Sequence, residues 1–480
     1  MSKYTKIVAT ISDKRCDVDF IQQLYNEGMN VVRMNSAHLQ REGFLKIINN
    51  VRTVSNKIAL LIDTKGPEVR TTVAQNDRIE IMTGDLIRIT GNPDLISTKE
   101  CISVSYPFFA RDLHLGDDIL IDDGEIDLKV EEKTDEYLLC RAMNNGILGS
   151  RKSINVPGVR INLPSITEKD RQNILFAIEQ DLDFIAHSFV RNKEDLMDIQ
   201  KILDEHKSSI KIISKIENQE GVDNIDEILK HSYGVMIARG DLGIEVAQEK
   251  IPGIQRRLIR KCVTAKKPVI VATQMLHSMI TNPRPTRAEV TDIANAIYYR
   301  TDALMLSGET AYGKYPVEAV STMAKIAKEA EKTKMSENDI PVPLGKNDIT
   351  SFLANAGVEA GAKIPTKAII TDSYTGKTAR YLAAYRGTNP IIALCYIERT
   401  TRELALSYGV FPEYQCELEN TQQYFLHGLK ELLKNGLLEK SDYICYLSGS
   451  FRSGFGTSFL EVNRVDTIFE SRDKYLLPNF

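Results

Sequence analysis

Eight apolar runs of strand length recur along this sequence, separated by amphipathic stretches of helical length, and few folds satisfy that rhythm. The runs are KIVATIS from Lys6, VVRMN from Val31, IALLIDT from Ile58, DFIAHSFV from Asp183, KIISKIE from Lys211, GVMIAR from Gly234, PVIVATQ from Pro268 and DALMLSGET from Asp302. Each is rich in Ile, Val, Ala and Leu, as a parallel strand buried on both faces requires. Helical patterns lie between them, as in EKDRQNILFAIEQ behind a capping signal at Thr167. Repeated βα units with eight strands predict an α/β chain built on a (β/α)8 barrel; the competing arrangement is an open doubly wound sheet. Polar residues end nearly every run, where barrel active sites form. No G-x-G-x-x-G fingerprint follows the first strand. Both features favour the barrel.

The third and fourth runs are separated by roughly a hundred residues, far more than one crossover helix needs. That stretch changes character. Short alternating segments such as RIEIM, DLIRIT, DDILID and EIDLKVEE are punctuated by Gly84, Gly91, Gly116, Gly124 and Gly146. They predict a small inserted all-β domain over residues 67–163, between barrel parts at 1–66 and 164–334. The polar, proline-containing SENDIPVPLGKND then reads as a linker. Strand and helix patterns resume after it (KAIITD, PIIALCY, DYICYLSG), predicting a C-terminal α/β domain within 335–480.

Composition narrows the function classes. A net charge of −4 argues against a general nucleic-acid binder, which needs a clustered basic surface. Seven scattered cysteines without a C-x-x-C pair fit neither a disulfide framework nor a zinc site, and point to a reducing, cytoplasmic setting. MSKYTKIVATIS lacks the pattern of a signal peptide, and no apolar run is long enough to span a bilayer. Neither a membrane nor a nucleic-acid partner is expected.

The chemistry concentrates at the ends of the runs. In SKIENQEG, Lys215 and Glu217 stand two apart on a strand and face one side. A lysine beside a carboxylate is costly to bury unless a further ion compensates it; an internal salt bridge is the plain alternative. In MIARGDLGIE, Gly240 allows close backbone approach and Asp241 offers a hard oxygen suited to magnesium, although a helix N-cap would also explain that aspartate. Thr273 and Gln274 end the seventh run; a threonine there relays a proton or caps the next helix. Arg33, Asn35 and His38 follow the second run, and Asp63, Thr64, Lys65, Glu68 and Arg70 follow the third. Arginine suits forked recognition of phosphate and carboxylate. Gathered at one rim with Lys215, these residues form an anion-plus-cation site. In the C-terminal region, Thr371, Ser373, Thr375, Lys377 and Thr378 surround Gly376 where a strand opens into a helix, a place to hold phosphate. SGSFRSGFGTS adds Arg452. Ordinary turns and caps are the alternative.

In order and spacing, IENQEG, IARGDLGIE, ATQML, NPRPTRAEVTDIANA and MLSGETAYGKYP resemble the pyruvate kinase family, and the resemblance covers essentially the whole chain. It implies an enzyme, the last of glycolysis, that transfers a phosphoryl group from phosphoenolpyruvate to ADP, giving pyruvate and ATP. Magnesium, or manganese, and potassium are the implied cofactors. By resemblance, Lys215 would stabilise the transferring group, Arg33 would contact its oxygens, and Glu217 and Asp241 would hold magnesium. Asn35, Asp63 and Thr64 match potassium ligands. Asn35, His38, Arg70 and Lys152, the last in GSRKSINVPG, match nucleotide contacts. Thr273 matches the residue implicated in protonating the enolate, with water. Gly240 would offer backbone to the substrate carboxylate, with Asp241 beside it. Glu68 matches the variant associated with potassium dependence, where a lysine would replace the cation. By the same resemblance the insert would be a small β-barrel lid that closes over the barrel mouth and excludes water, bringing Asp123 toward the nucleotide. The C-terminal residues would bind a phosphorylated allosteric effector, and the assembly would be a homotetramer.

Three departures stand out. Asn35-Ser36-Ala37-His38 lacks the serine usual at Ala37, and Ser36 faces the opposite side of a regular strand. His277 replaces a usual glutamate. Tyr299-Arg300 replaces a usual Asp-Gly, implying altered assembly or helix packing. Two other activities remain as alternatives: a magnesium-dependent pyruvate-enolate lyase on the same barrel, and a non-catalytic phosphometabolite sensor.

Overall fold

In the computed structural model, which describes residues 3–37, 39–333, 340–345, 347–416, 421–449 and 456–473, all eight runs are strands. They are Lys6–Thr10, Val31–Asn35, Ala59–Asp63, Phe184–His187, Lys211–Ile216, Gly234–Ala238, Val269–Ala272 and Ala303–Leu306. They pair in chain order and close into a barrel, with Val8 opposite Val31 on one side and Met305 on the other. The open-sheet alternative is therefore excluded. Helices such as Arg41–Val54, Glu168–Glu179, Ile251–Thr264 and Pro316–Lys332 form the outer ring. Two start with capping boxes: Thr167 with Asp170, and Thr286 with Glu289.

Strand alternation sorts the side chains. Ile7, Ala9, Val32, Leu60, Ile62 and Ile216 pack outward against the helices. Val8, Val31, Leu61, Phe184, Ala186, Ile213 and Met236 fill the barrel interior. Continuing the inner rows by two residues reaches Arg33 after Val31, Asp63 after Leu61, Ser188 after Ala186, and Lys215 after Ile213. The polar layer at the carboxyl end thus follows from the same parity that builds the apolar layers beneath it.

The insert folds around its own core, which includes Ile87, Ile89, Ile102, Ile119, Leu128 and Leu138. A seven-stranded sheet carries Val69–Arg70 at one edge and Cys101–Ser103 at the other. An antiparallel bridge between Thr71 and Val104 draws those edges together. The C-terminal domain is a five-stranded sheet ordered Val410–Tyr414, Ile391–Cys395, Thr366–Ser373, Tyr443–Gly449, Thr457–Arg464, of which only the last strand is antiparallel to its neighbour.

This domain fills the bottom of the barrel. Ala405 and Leu406, from the short 3-10 turn Leu404–Leu406, belong to the same buried cluster as Val8, Val31, Phe184 and Met236. Arg402 reaches Asp183 at 2.6 Å, and Arg386 reaches Asp302 at 2.7 Å, with all four side chains buried. Asp183 and Asp302 immediately precede the fourth and eighth strands. Arg300 is buried at this junction, and its carbonyl accepts from Arg386 at 2.8 Å. The Tyr299-Arg300 departure therefore falls in packing between the barrel and the C-terminal domain. Among the described residues, no helix is long and apolar enough to cross a membrane.

Candidate active site

Four side chains at the carboxyl end of the barrel interlock. Asp63 accepts from Arg33 Nε at 3.0 Å and from a second guanidinium nitrogen through the same oxygen, Oδ2. Its other oxygen, Oδ1, lies 3.4 Å from the Lys215 ammonium. Lys215 Nζ lies 2.8 Å from Glu217 Oε1 and donates to Ser188 Oγ at 2.7 Å. Ser188 in turn donates to the Thr64 carbonyl at 2.6 Å, while its N–H donates to Thr64 Oγ1 at 3.0 Å. Lys215 is 8% exposed and Glu217 1%, so neither charge is relieved by bulk water.

Burial and charge compete here. Burial opposes the Lys215 ammonium, but Asp63, Glu217 and Asp241 outweigh it and raise its pKa. Burial also opposes the Asp63 carboxylate, yet Arg33 and Lys215 lower its pKa. For Glu217 burial prevails, reinforced by Asp241, and its carboxyl is pushed up to about 7 despite Lys215. The two shifts within the Lys215–Glu217 pair pull against each other. The direction we adopt is an ionised lysine facing a surplus of acid, since Asp63, Glu217 and Asp241 outnumber Lys215 and Arg33.

That surplus suits a cation. Ser36 Oγ is buried without a hydrogen-bond partner, and among the described residues Asp63 Oδ1 and Glu217 Oε1 face only the Lys215 ammonium. No group of three or more acidic, histidine or cysteine side chains forms a metal site among the described residues. Glu217 and Asp241 instead fit the sparse pattern magnesium adopts when substrate and water complete its shell. Asp63 Oδ1 and Thr64 fit a monovalent ion. Asn35 Oδ1 already accepts from the Ala37 N–H at 3.0 Å. The buried His187 ring lies 3.3 Å from Thr64 Oγ1, and burial lowers its pKa to about 4, so it is neutral.

Asp241 lines two cavities. One, of about 940 Å³, lies between barrel and insert and holds Glu68, Arg70, Asp123, Lys152 and Asp241. Arg70 pairs with Glu68, and Lys152 with Asp122 at 2.5 Å. Neither nucleotide candidate touches the Lys215 cluster; both sit on the cleft wall. The other cavity, of about 1090 Å³, holds Asp241, Gly240, Thr273, Gln274, His277 and Asp123. Here Thr273 and Gln274 have φ of 68° and 53°. A β-branched residue in that region is strained, of order 1–3 kcal/mol. Thr273 Oγ1 accepts from the Gly240 N–H at 2.8 Å and donates to the Ala272 carbonyl at 2.7 Å. The Gly240 N–H expected to meet substrate is therefore engaged by Thr273.

The remaining candidates divide. Ser373 Oγ accepts from the Gly376 N–H at 3.0 Å, and Arg380 donates to the Thr375 carbonyl at 2.9 Å. Thr378 and Thr457 share a hydrogen bond of 2.7 Å, and Thr371 is fully buried. The Lys377 ammonium lies over the Tyr381 ring, 5.4 Å from its centre. His38 and Arg452 lie outside the described residues. Ser188 was not singled out from the sequence, although the row Phe184, Ala186, Ser188 carried it.

A closed parallel barrel with a buried lysine, acid surplus and flanking cavities at its carboxyl end has the form of a barrel enzyme with its site at the strands' carboxyl ends. A family model described as "Pyruvate kinase, barrel domain" matches residues 2–320, and "Pyruvate kinase, alpha/beta domain" matches 352–462. A pyruvate kinase of Borreliella burgdorferi is 46% identical over 98% of this chain and 100% of its own. One of Clostridium acetobutylicum is 40% identical over 96% and 99%. A crystal structure of a pyruvate kinase from Cryptosporidium parvum superimposes with a TM-score of 0.91 at 36% identity, covering 96% of both chains. The chain belongs to the pyruvate kinase family, and so to the phosphotransferase enzymes.

Proposed function

We infer that this protein moves the phosphoryl group of phosphoenolpyruvate to ADP, yielding pyruvate and ATP. The observation that carries the reading is the Arg33–Asp63–Lys215–Glu217 cluster, buried at the barrel rim and tipped to an excess of acid by Asp241 beside it. Phosphoryl transfer needs positioning and charge neutralisation rather than a protein nucleophile. The Lys215 ammonium, braced by Ser188, supplies a fixed positive charge beside the transferring group. Arg33, held by Asp63, orients its oxygens. Glu217 and Asp241 would hold magnesium or manganese, and Asn35, Asp63 and Thr64 potassium. When bound, these ions neutralise charge on the phosphoryl and carboxylate oxygens. Arg70 and Lys152 would receive the nucleotide phosphates on the cleft wall, and Asn35 and His38 would add further nucleotide contacts. Thr273 would then guide a proton to the enolate carbon. The insert, residues 67–163, closes the cleft against water.

In this reading the enzyme works in the cytoplasm as a homotetramer. A phosphorylated effector would bind the C-terminal domain near Thr371, Ser373, Thr375, Lys377, Thr378 and Arg452.

The test is direct. The full chain is mixed with phosphoenolpyruvate, ADP, magnesium and potassium, and ATP is measured. ATP formation that disappears in Lys215→Met supports the reading. No ATP, with pyruvate enolate chemistry retained, would point to a lyase; tight ligand binding without turnover would point to a sensor.

A further inference from the structure

We propose that Arg239 is a positioning residue for the Thr273 hydroxyl, locked in place by Asp292. The inference deepens the kinase reading and rests on its role for Thr273. Arg239 comes directly after the sixth strand and opens the helix Arg239–Glu245. Its side chain turns across to the end of the neighbouring seventh strand. One terminal nitrogen donates to the Thr273 carbonyl at 2.7 Å and approaches the Gln274 carbonyl at 3.4 Å. The other donates to Asp292 Oδ2 at 2.7 Å and lies 3.4 Å from Gln255 Oε1. Asp292 stands on the separate helix Arg287–Tyr298.

The two carbonyls held this way belong to the two residues in the left-handed region. A threonine rests there only when its surroundings over-determine the conformation. Arg239 and Gly240 provide two such restraints from consecutive positions: a side-chain fork on the Thr273 carbonyl, and an N–H on its hydroxyl. Together they fix both ends of the residue. A planar fork can span Asp292 and two carbonyls at once; a lysine, with one charged point, cannot. Among the described residues, the Arg239 side chain bonds to Asp292, Gln255, Thr273 and Gln274 and not to Arg33, Asp63, Lys215 or Glu217, so its effect should fall on Thr273 and spare the phosphoryl-binding cluster.

The step served is the second half of the reaction. The enolate C=C electron pair takes a proton from the hydroxyl and its associated water, a C–H bond forms, the carbonyl is restored, and solvent replaces the proton. A displaced hydroxyl slows this step without weakening phosphoenolpyruvate binding.

The experiment follows deuterium exchange from solvent into the methyl group of pyruvate by NMR, using the full chain with magnesium, potassium and ATP. Arg239→Gln should slow exchange by about 100-fold, the size of effect misplacement produces, while KM for phosphoenolpyruvate stays within about threefold. Arg239→Lys should not restore it. Asp292→Asn, a milder change, should slow exchange by about tenfold on the same reasoning and serves if Arg239→Gln does not fold. Parental exchange in both Arg239→Gln and Asp292→Asn overturns the proposal. So does a loss in which KM rises while exchange and thermal stability fall together. Thr273→Ala separates the two layers. If it slows exchange and Arg239→Gln does not, the clamp fails alone. If it leaves exchange untouched, the role of Thr273 fails and the clamp with it.

Discussion

Lys215 lies on the fifth barrel strand and Glu217 directly follows that strand's end, and their charged groups meet at 2.8 Å at the rim. Lys215→Met should lower turnover by at least 10²–10³-fold, the loss typical of a removed electrostatic donor. It should also destabilise the fold by about 3–5 kcal/mol, because Asp63 and Glu217 lose a buried counter-charge. Steady-state kinetics and urea unfolding of the same preparation check both parts.

Glu217→Gln removes one of the two carboxylates assigned to the divalent ion. Manganese affinity, followed by electron paramagnetic resonance, should fall by about 10–100-fold on the scale of losing such a group. The free protein should not be weakened comparably, since a carboxyl that burial pushes up to about 7 is replaced by a neutral amide. Unchanged manganese binding would move the metal elsewhere.

Potassium should activate turnover, and tetramethylammonium should not replace it. Glu68 pairs with Arg70 and lies 3.8 Å from Lys65. Glu68→Lys should therefore reduce the potassium response by placing a fixed cation on that wall. A parent enzyme equally active without potassium would remove Asn35, Asp63 and Thr64 from the assignment.

Lys6 sits buried where barrel and C-terminal domain meet, donating to the Val410 carbonyl at 2.5 Å beneath the Phe411 ring. Burial lowers its pKa to about 8, against the pull of Glu331 and Asp302. A lysine whose folded pKa lies below the unfolded one penalises the fold at pH values below 8. The penalty fades as pH rises from 8 through the unfolded value. Lys6→Met should stabilise the protein near pH 7 by up to about 3 kcal/mol and flatten the rise in stability between pH 8 and 10. Urea unfolding at both ends of that window reads the difference.

Asp183→Ala should cost about 3–5 kcal/mol, because it removes the 2.6 Å partner of the buried Arg402 guanidinium and leaves it the more distant Asp181 and Glu398, at 3.4 and 3.9 Å. Replacing both partners with apolar residues should recover much of that loss. Differential scanning calorimetry should show the single variant splitting into two transitions, barrel and C-terminal domain, where the parent shows one.

Much of this architecture was legible because strand parity is a local rule. The run KIISKIE places Lys215 and Glu217 on the inner face before any neighbour is known. The three-way division of the chain could be read where the apolar rhythm broke. What parity cannot supply is which side chain on one strand meets which on the next. That Asp63 is shared between Arg33 and Lys215 depends on the register of three strands and on a strand far away in sequence. Arg239 was hidden for the same reason: MIARGDLGIE directs attention to its glycine and aspartate, while its arginine acts on another strand. The left-handed backbone at Thr273 leaves no trace in ATQML. Nor does the sequence show that the hydroxyls of Ser373 and Thr378, both candidates for an effector, bond within their own domain.

A barrel whose lowest side-chain layer is completed by Ala405 and Leu406 does not own its floor. Cut away the C-terminal half and the strands would enclose an open hydrophobic well, with Asp183 and Asp302 at its lip stripped of Arg402 and Arg386. The stopper and the strands that carry Ser188 at their far end are thus one mechanical column. Any ligand that tilts the C-terminal sheet pushes on that column from below, without needing a path around the outer helices.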